Sequence, residues 1–193
     1  MNSRIILLLS LTIFFSCSST KGVKENENSE NNLNGITKEF YENGDLKVNW
    51  NYKNNRLNGI SKEYHKDGTY SEWSYENGQL IEGKSYFRSG ALLQDYTFKN
   101  GKRNGTAIRF YETGEKETIW EFRNDILIKG VAYYPTGEKR TDFRYKNGIP
   151  EGVSTEYYKN GKKKIEWNYK NGKLSGKSIE YFENGNVKRV LNY

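Results

Sequence analysis

Apolar residues along this chain alternate with polar ones in short runs, and each run stops at Gly or Asn. The pattern then starts again. Its unit is Gly, an extended stretch, two adjacent aromatics, a turn ending in Gly, and an aromatic-x-aromatic stretch. Seven units open at Gly35, Gly59, Gly83, Gly105, Gly130, Gly152 and Gly176, spaced 24, 24, 22, 25, 22 and 24 residues apart. Aligned on the inner glycines Gly44, Gly68, Gly90, Gly114, Gly137, Gly161 and Gly185, one aromatic slot holds Phe40, Tyr64, Tyr86, Phe110, Tyr133, Tyr157 and Tyr181. The next holds Tyr41, His65, Phe87, Tyr111, Tyr134, Tyr158 and Phe182. A third pair runs from Trp50/Tyr52 to Leu191/Tyr193 and contains all four tryptophans. Aromatics at period two, bounded by Gly and Asn, predict strands. A period of this length predicts a repeat architecture whose units cannot bury an apolar face alone.

The turn chemistry types the hairpins. Pro135–Thr136–Gly137 suits a three-residue loop, because Pro presets φ for the first turn position and Gly takes the left-handed one. Glu42–Asn43–Gly44 fits the same loop. A loop at 159–161 pairs Tyr158 with Lys162, which puts Tyr157 opposite Lys163, Thr155 opposite Ile165 and Val153 opposite Trp167. One face then carries Val153, Tyr157, Ile165, Trp167 and Tyr169. The other carries Ser154, Glu156, Tyr158, Lys162, Lys164, Glu166 and Asn168. The units starting at Gly83 and Gly130 lack two residues in their first strand. The second unit lacks one between Gly68 and Trp73, which predicts an irregularity near Tyr70–Glu72. The second turns, from Asn54–Asn55 to Asn171–Gly172, use the residues that best tolerate left-handed backbone.

The expected fold is all-β: an elongated, twisted antiparallel meander of about seven repeated hairpins. About 14 strands at ~4.8 Å each give a length of ~60–65 Å. A single sheet with one aromatic face has to cover it, so the ribbon is expected to curl with that face inside.

The ends of the chain read differently. Arg4 precedes an apolar run, Ile5–Phe15, too short to cross a bilayer as a helix, which needs ~20 residues. Residues 1–16 read as a secretory signal peptide. The single cysteine, Cys17, follows Ser16, and here the segment resembles a bacterial lipoprotein signal. That resemblance implies acylation of Cys17, an N-terminal lipid anchor in the membrane and, with Ser18 next to Cys17, an outer-membrane location. Residues 17–34 form the anchor and a polar, disordered linker, which spans about 25 Å as a coil. The formal net charge is +7, and +6 once Arg4 is removed. Lys and Glu alternate through the repeats, which argues against nucleic acid as a partner.

Residues 35–193 resemble the bacterial variant of MORN repeats found in the YwqK-type antitoxin family. GITKEFYENGDLKVNWNYKNN at 35–55 and GVSTEYYKNGKKKIEWNYKNG at 152–172 carry the likeness. It implies an open solenoid and an interaction scaffold, with an antitoxin role as the family's own association.

The chain shows no metal spacing, nucleophile motif or phosphate loop. His65 fills an aromatic slot. Glu39, Glu63, Glu156 and Glu180 recur at one slot that Arg109 takes in the fourth unit. A ladder of this kind reads as a charge-balanced surface rather than as an acid–base pair. No cofactor, no metal and no enzymatic activity are expected. The partner-binding candidates are Tyr41, Phe87, Tyr111, Tyr134, Tyr158 and Phe182, placed by the register above on the mainly polar face. Lys162–Lys164 reads as a solvated strand. The expected function is that of a lipid-anchored envelope scaffold for another protein. The alternatives are a toxin-neutralising protein and a glycan- or peptidoglycan-binding module.

Overall fold

A computed structural model describes residues 32–193. The signal, Cys17 and most of the linker lie outside the described residues. The first hairpin is β1 (Gly35–Phe40) with β2 (Leu46–Lys53). It is followed by β3 (Arg56–Leu57), β4 (Gly59–Tyr64), β5 (Tyr70–Glu76), β6 (Gln79–Tyr86) and β7 (Leu92–Lys99). Next come β8 (Lys102–Arg103), β9 (Gly105–Phe110), β10 (Lys116–Arg123), β11 (Ile126–Tyr133) and β12 (Lys139–Lys146). The array closes with β13 (Ile149–Pro150), β14 (Gly152–Tyr157), β15 (Lys163–Lys170), β16 (Lys173–Leu174), β17 (Lys177–Tyr181) and β18 (Val187–Asn192). Each strand pairs antiparallel with its neighbours in sequence, from β1–β2 to β17–β18. The result is one open, 18-stranded sheet built from repeated hairpins. Four two-residue strands, β3, β8, β13 and β16, raise the number above the expected 14.

Both turn types form as their residues dictate. Each inner turn closes in the same way: the Tyr41 amide donates to Asp45 at 2.8 Å and the Gly44 amide to Tyr41 at 2.9 Å. The second turns sit in left-handed backbone, with Asn54 and Asn55 at φ 50° and 63° and Asn124 and Asp125 at 50° and 66°. Asn and Asp reach that region at low cost, so they replace Gly without changing the turn. Leu33 and Asn34, which precede the first unit, bind its second turn: the Asn54 amide donates to Asn34 Oδ1 at 2.8 Å.

The register departs from expectation one step beyond the inner turn. Tyr157 does pair with Lys163, but Glu156 then pairs with Ile165, Thr155 with Glu166 and Ser154 with Trp167. Lys164 is an extra residue, a β-bulge. A bulge sets two residues against one and re-aims the strand. This exchanges the expected face assignment of one strand against the other. Ser154, Glu156 and Tyr158 share the face of Ile165, Trp167 and Tyr169, while Val153 and Tyr157 lie on the opposite one. The same bulge recurs at Lys47, Leu93, Glu117, Arg140 and Lys188. The second unit alone pairs without a shift, from Gly59 with Tyr75 to Tyr64 with Tyr70. The residue missing between Gly68 and Trp73 is therefore the bulge, and the segment Tyr70–Glu72 is the regular case, not the irregular one.

Gly83 and Gly130 also occupy a different slot from the other opening glycines. Gly35, Gly59, Gly105, Gly152 and Gly176 have positive φ, whereas Gly83 and Gly130 do not. Gly83 pairs with Trp73 where Ser61 does in the preceding hairpin. The units read as two residues short are one residue short: Ile81 is a single unpaired residue, where Asn58–Gly59 provides two.

The realigned slot explains how tryptophan fits. Trp50 pairs with Thr37, Trp73 with Ser61 and Gly83, Trp120 with Ala107 and Gly130, and Trp167 with Ser154. The Trp73 and Trp120 rings lie against Gly83 and Gly130. A Cβ on Gly83 would come within 2.6 Å of the Trp73 ring. Gly83→Ala is therefore expected to destabilise by about 1–3 kcal/mol through overpacking, read as a lower denaturant midpoint; an unchanged midpoint would refute the close approach. Ser61 has a second task. Its hydroxyl accepts the Asn51 amide at 3.1 Å, as Ser178 accepts the Asn168 amide at 3.2 Å. The extra residues at Asn58–Gly59 interrupt the ladder beside Asn51, and the fully buried Ser61 hydroxyl fills the gap.

Candidate interaction face

Among the described residues no helix or second sheet packs on this ribbon. Its aromatic face carries four parallel rows. The first is the row of partner-binding candidates at the inner turns. The structure moves it from the mainly polar face to the face of the tryptophans. The Tyr41, Tyr111, Tyr134 and Tyr158 hydroxyls each donate to a main-chain carbonyl of the next unit: Tyr64, Tyr133, Tyr157 and Tyr181, all at 2.8 Å. The hydroxyls are thus engaged within the sheet and tie one unit to the next. Phe87 and Phe182 have no hydroxyl, and Phe182 is 48% exposed on the last hairpin. His65 instead sets Nε2 3.2 Å from the Ser71 hydroxyl.

The second row is the glutamate ladder with its bulge residues. A bulge turns two successive side chains toward one face, so the extra residue meets the ladder residue opposite it. Lys164 bonds Glu156 at 2.7 Å and Lys188 bonds Glu180 at 2.9 Å. In the fourth unit the signs are exchanged, with Arg109 on Glu117 at 2.7 Å. The Lys188 hydrogen bond holds Glu180 below its ordinary carboxylate value despite its burial, and Arg189 adds to the effect. Other ladder carboxylates take indole N–H groups: Trp50 Nε1 donates to Glu39 at 2.9 Å and Trp73 Nε1 to Glu63 at 3.1 Å. Each glutamate thus has a structural partner. The third and fourth rows are the Trp slot and the Tyr/Phe slot two residues on.

The opposite face carries ion pairs, a second set of tyrosines and exposed aliphatic residues such as Ile36, Ile60 and Val153. Lys62 reaches Glu72 at 3.1 Å and lies 4.3 Å from the Tyr70 ring centre. Tyr70 stacks on Tyr86 at 4.6 Å. Burial, and then a hydrogen bond to Glu72 and that carboxylate's charge, push the Tyr86 phenol up to about 12. The folded pKa lies above the ordinary 10.0, so this contribution to stability is complete below pH 10 and is lost as pH rises through about 12. Tyr86→Phe is expected to shrink the alkaline drop in stability between those values in a pH-resolved melting series. An unaltered drop would sink the assignment. The run Lys162–Lys164 is tied down residue by residue: Lys162 to the Asn184 carbonyl, Lys163 to Glu166 and Lys164 to Glu156.

The description "MORN repeat variant" matches residues 33–54, 150–171 and 174–193. Three of the seven units are MORN-variant repeats. They are the first, sixth and seventh, and they share the complete local pattern of a ladder glutamate facing a bulge lysine: Glu39 with Lys47, Glu156 with Lys164, and Glu180 with Lys188. The four units between them depart from it. The second hairpin has no bulge, the third has Ser85 with Leu93, the fourth Arg109 with Glu117, and the fifth Ala132 with Arg140. No curated protein matches the chain. Among solved structures it is similar to TarM, at 13% identity and a TM-score of 0.35 over 67% of this chain and 22% of that one. It is also similar to a Glycosylation Associate Protein (Gap123) complex from Streptococcus agalactiae, at 18% identity and 0.36 over 54% and 20%. The chain thus spans about a fifth of the solved chains it matches.

Across the third to sixth units the aromatic face holds a hollow of about 410 Å³. Tyr96, Trp120, Phe122, Phe143, Tyr145 and Tyr169 provide its aromatic walls. Arg103 bonds Asp125 at 3.0 Å and lies 4.4 Å from the Phe122 ring centre. On the floor, Gln94 is 5% and Tyr96 2% exposed. The Gln94 amide nitrogen and the Tyr96 hydroxyl adjoin without a well-formed hydrogen bond and have no other partner. Burial raises the Tyr96 phenol, which stays protonated. Sequence reading missed this site. The available signal was the change at the ladder slot in the third to fifth units, visible only after the bulge is placed in the alignment.

Proposed function

We propose that this chain is a non-enzymatic, lipid-anchored scaffold of the bacterial envelope whose repeat sheet holds another protein. The observation that carries the reading is the single open sheet, with an aromatic face that nothing else in the described chain covers. Large rigid side chains on an uncovered face offer contact area at low entropic cost. The carboxylates of the glutamate ladder are engaged by lysine, arginine and indole partners. Cys17 acylation and the outer-membrane location belong to the same proposal, resting on the lipoprotein-like segment, and so does a 17–34 linker that holds the sheet clear of the membrane.

The test is crosslinking of the intact protein in its own membrane, with mass spectrometry of what co-purifies and Cys17→Ala as control. A specific envelope protein recovered with the anchored form alone is the expected result. Recovery of nothing above the control, with Cys17 acylated, would overturn the reading. The toxin-neutralising alternative, which the YwqK-type resemblance motivates, predicts instead a growth defect of a deletion strain beside toxin-bearing siblings.

A further inference from the structure

Ladder and bulge residues form ion pairs in three units, Arg109 with Glu117, Lys164 with Glu156 and Lys188 with Glu180, and in the first unit Lys47 faces Glu39, which takes the Trp50 N–H. Where the ladder residue is glutamate and a bulge is present, the bulge residue is lysine; where it is Arg109, the bulge residue is Glu117. Where it is Ser85, the bulge residue is Leu93, and no charge needs a partner. The fifth unit breaks the rule. Its bulge residue is Arg140, but the facing ladder residue is Ala132. Among the described residues Arg140 has no ion-pair partner. It projects into the hollow, beside the Arg109–Glu117 pair and the floor of Gln94 and Tyr96.

Four features therefore converge: a cation without its counter-ion, two buried polar groups that adjoin each other and have no other partner, planar donors and acceptors close together, and aromatic walls. In a repeat array, a local rule broken without structural gain points to function. We propose that this hollow binds an acidic saccharide. The sugar's carboxylate takes the place of the missing ladder glutamate on Arg140. Its apolar ring face lies on the Trp120 and Phe143 side, and vicinal hydroxyls meet the Arg109, Glu117 and Gln94 groups, which supply both donors and acceptors. An acidic peptide of glutamates satisfies the cation but brings no apolar ring face to the aromatic walls. The volume, about 410 Å³, is in the range of small-ligand sites. This site is separate from the scaffold reading and stands or falls independently of it.

The experiment is calorimetric titration of the full chain with trigalacturonate, with maltotriose as a neutral sugar and a triglutamate peptide as an acidic non-sugar. Trigalacturonate is expected to bind saturably, at least about tenfold more tightly than either control. Arg140→Gln is expected to weaken it by about tenfold or more, the loss of one charge-assisted contact. Ala132→Glu supplies the absent counter-ion and restores the pattern of the other units. It is expected to keep or raise the melting temperature while losing affinity to the same degree, so a folding defect in Arg140→Gln leaves the test intact. No saturable binding of trigalacturonate, equal affinity for triglutamate, or binding unchanged in a folded Ala132→Glu protein would each overturn the proposal.

Discussion

Trp73→Ala is expected to lower the stability of the sheet by about 3–5 kcal/mol, the range for emptying a large buried aromatic site. Trp73 is 8% exposed, and its ring lies over Gly83 between β4 and β6. Gly83 has no side chain that could move in to fill the gap. The indole N–H also donates to Glu63 at 3.1 Å, so removing it leaves a half-buried carboxylate short of a partner. The loss should be local. Each hairpin touches only its neighbours, and stability in such arrays is a sum of unit and nearest-neighbour terms. Hydrogen exchange should therefore accelerate first in β4–β6, while β14–β18 keep their protection. Uniform acceleration across the ribbon, or a loss under about 1 kcal/mol, would show that Trp73 does not have this role.

The second large effect concerns the tyrosine row. Tyr111, Tyr134 and Tyr158 all changed to Phe keep their rings but lose three bonds of 2.8 Å to the following units. Each bond contributes about 0.5–1.5 kcal/mol, so the triple variant should lose about 2–4 kcal/mol. The converse change is Phe87→Tyr, which places a hydroxyl toward the Phe110 carbonyl and is expected to gain about 0.5–1 kcal/mol. Chemical denaturation of both proteins measures these. A triple variant that unfolds like the parent would mean that the row is not a tie between units. Because the rings remain, the same variant also separates stability from partner capture in the crosslinking experiment.

Much of the fold was legible along the chain. The Asn–Gly and three-residue turns follow from φ preferences that act over two or three residues, and they formed as expected. His65 and the recurring glutamates could be read as sheet residues because they occupy slots of a repeat. The bulge was not legible. In Lys162–Lys163–Lys164 every residue is the same, and alternation cannot reveal which one is unpaired. Assigning none of them to a bulge moved Tyr158 to the wrong face and Val153 onto the aromatic one. Gly83 and Gly130 misled for a related reason: a glycine required by a left-handed turn and a glycine required under an indole look alike in sequence.

What the chain determined by itself was therefore the period, the all-β hairpin repeat and the turn types, since these depend on neighbours close in sequence. The tertiary structure decided which face each side chain joins, because that depends on pairing across strands, and a single unpaired residue reverses it. It likewise decided that the candidate tyrosines tie unit to unit, and that Arg140 meets Ala132 where its counterparts meet a carboxylate. Both facts arise from residues 8 to 23 positions apart that only strand pairing brings into contact.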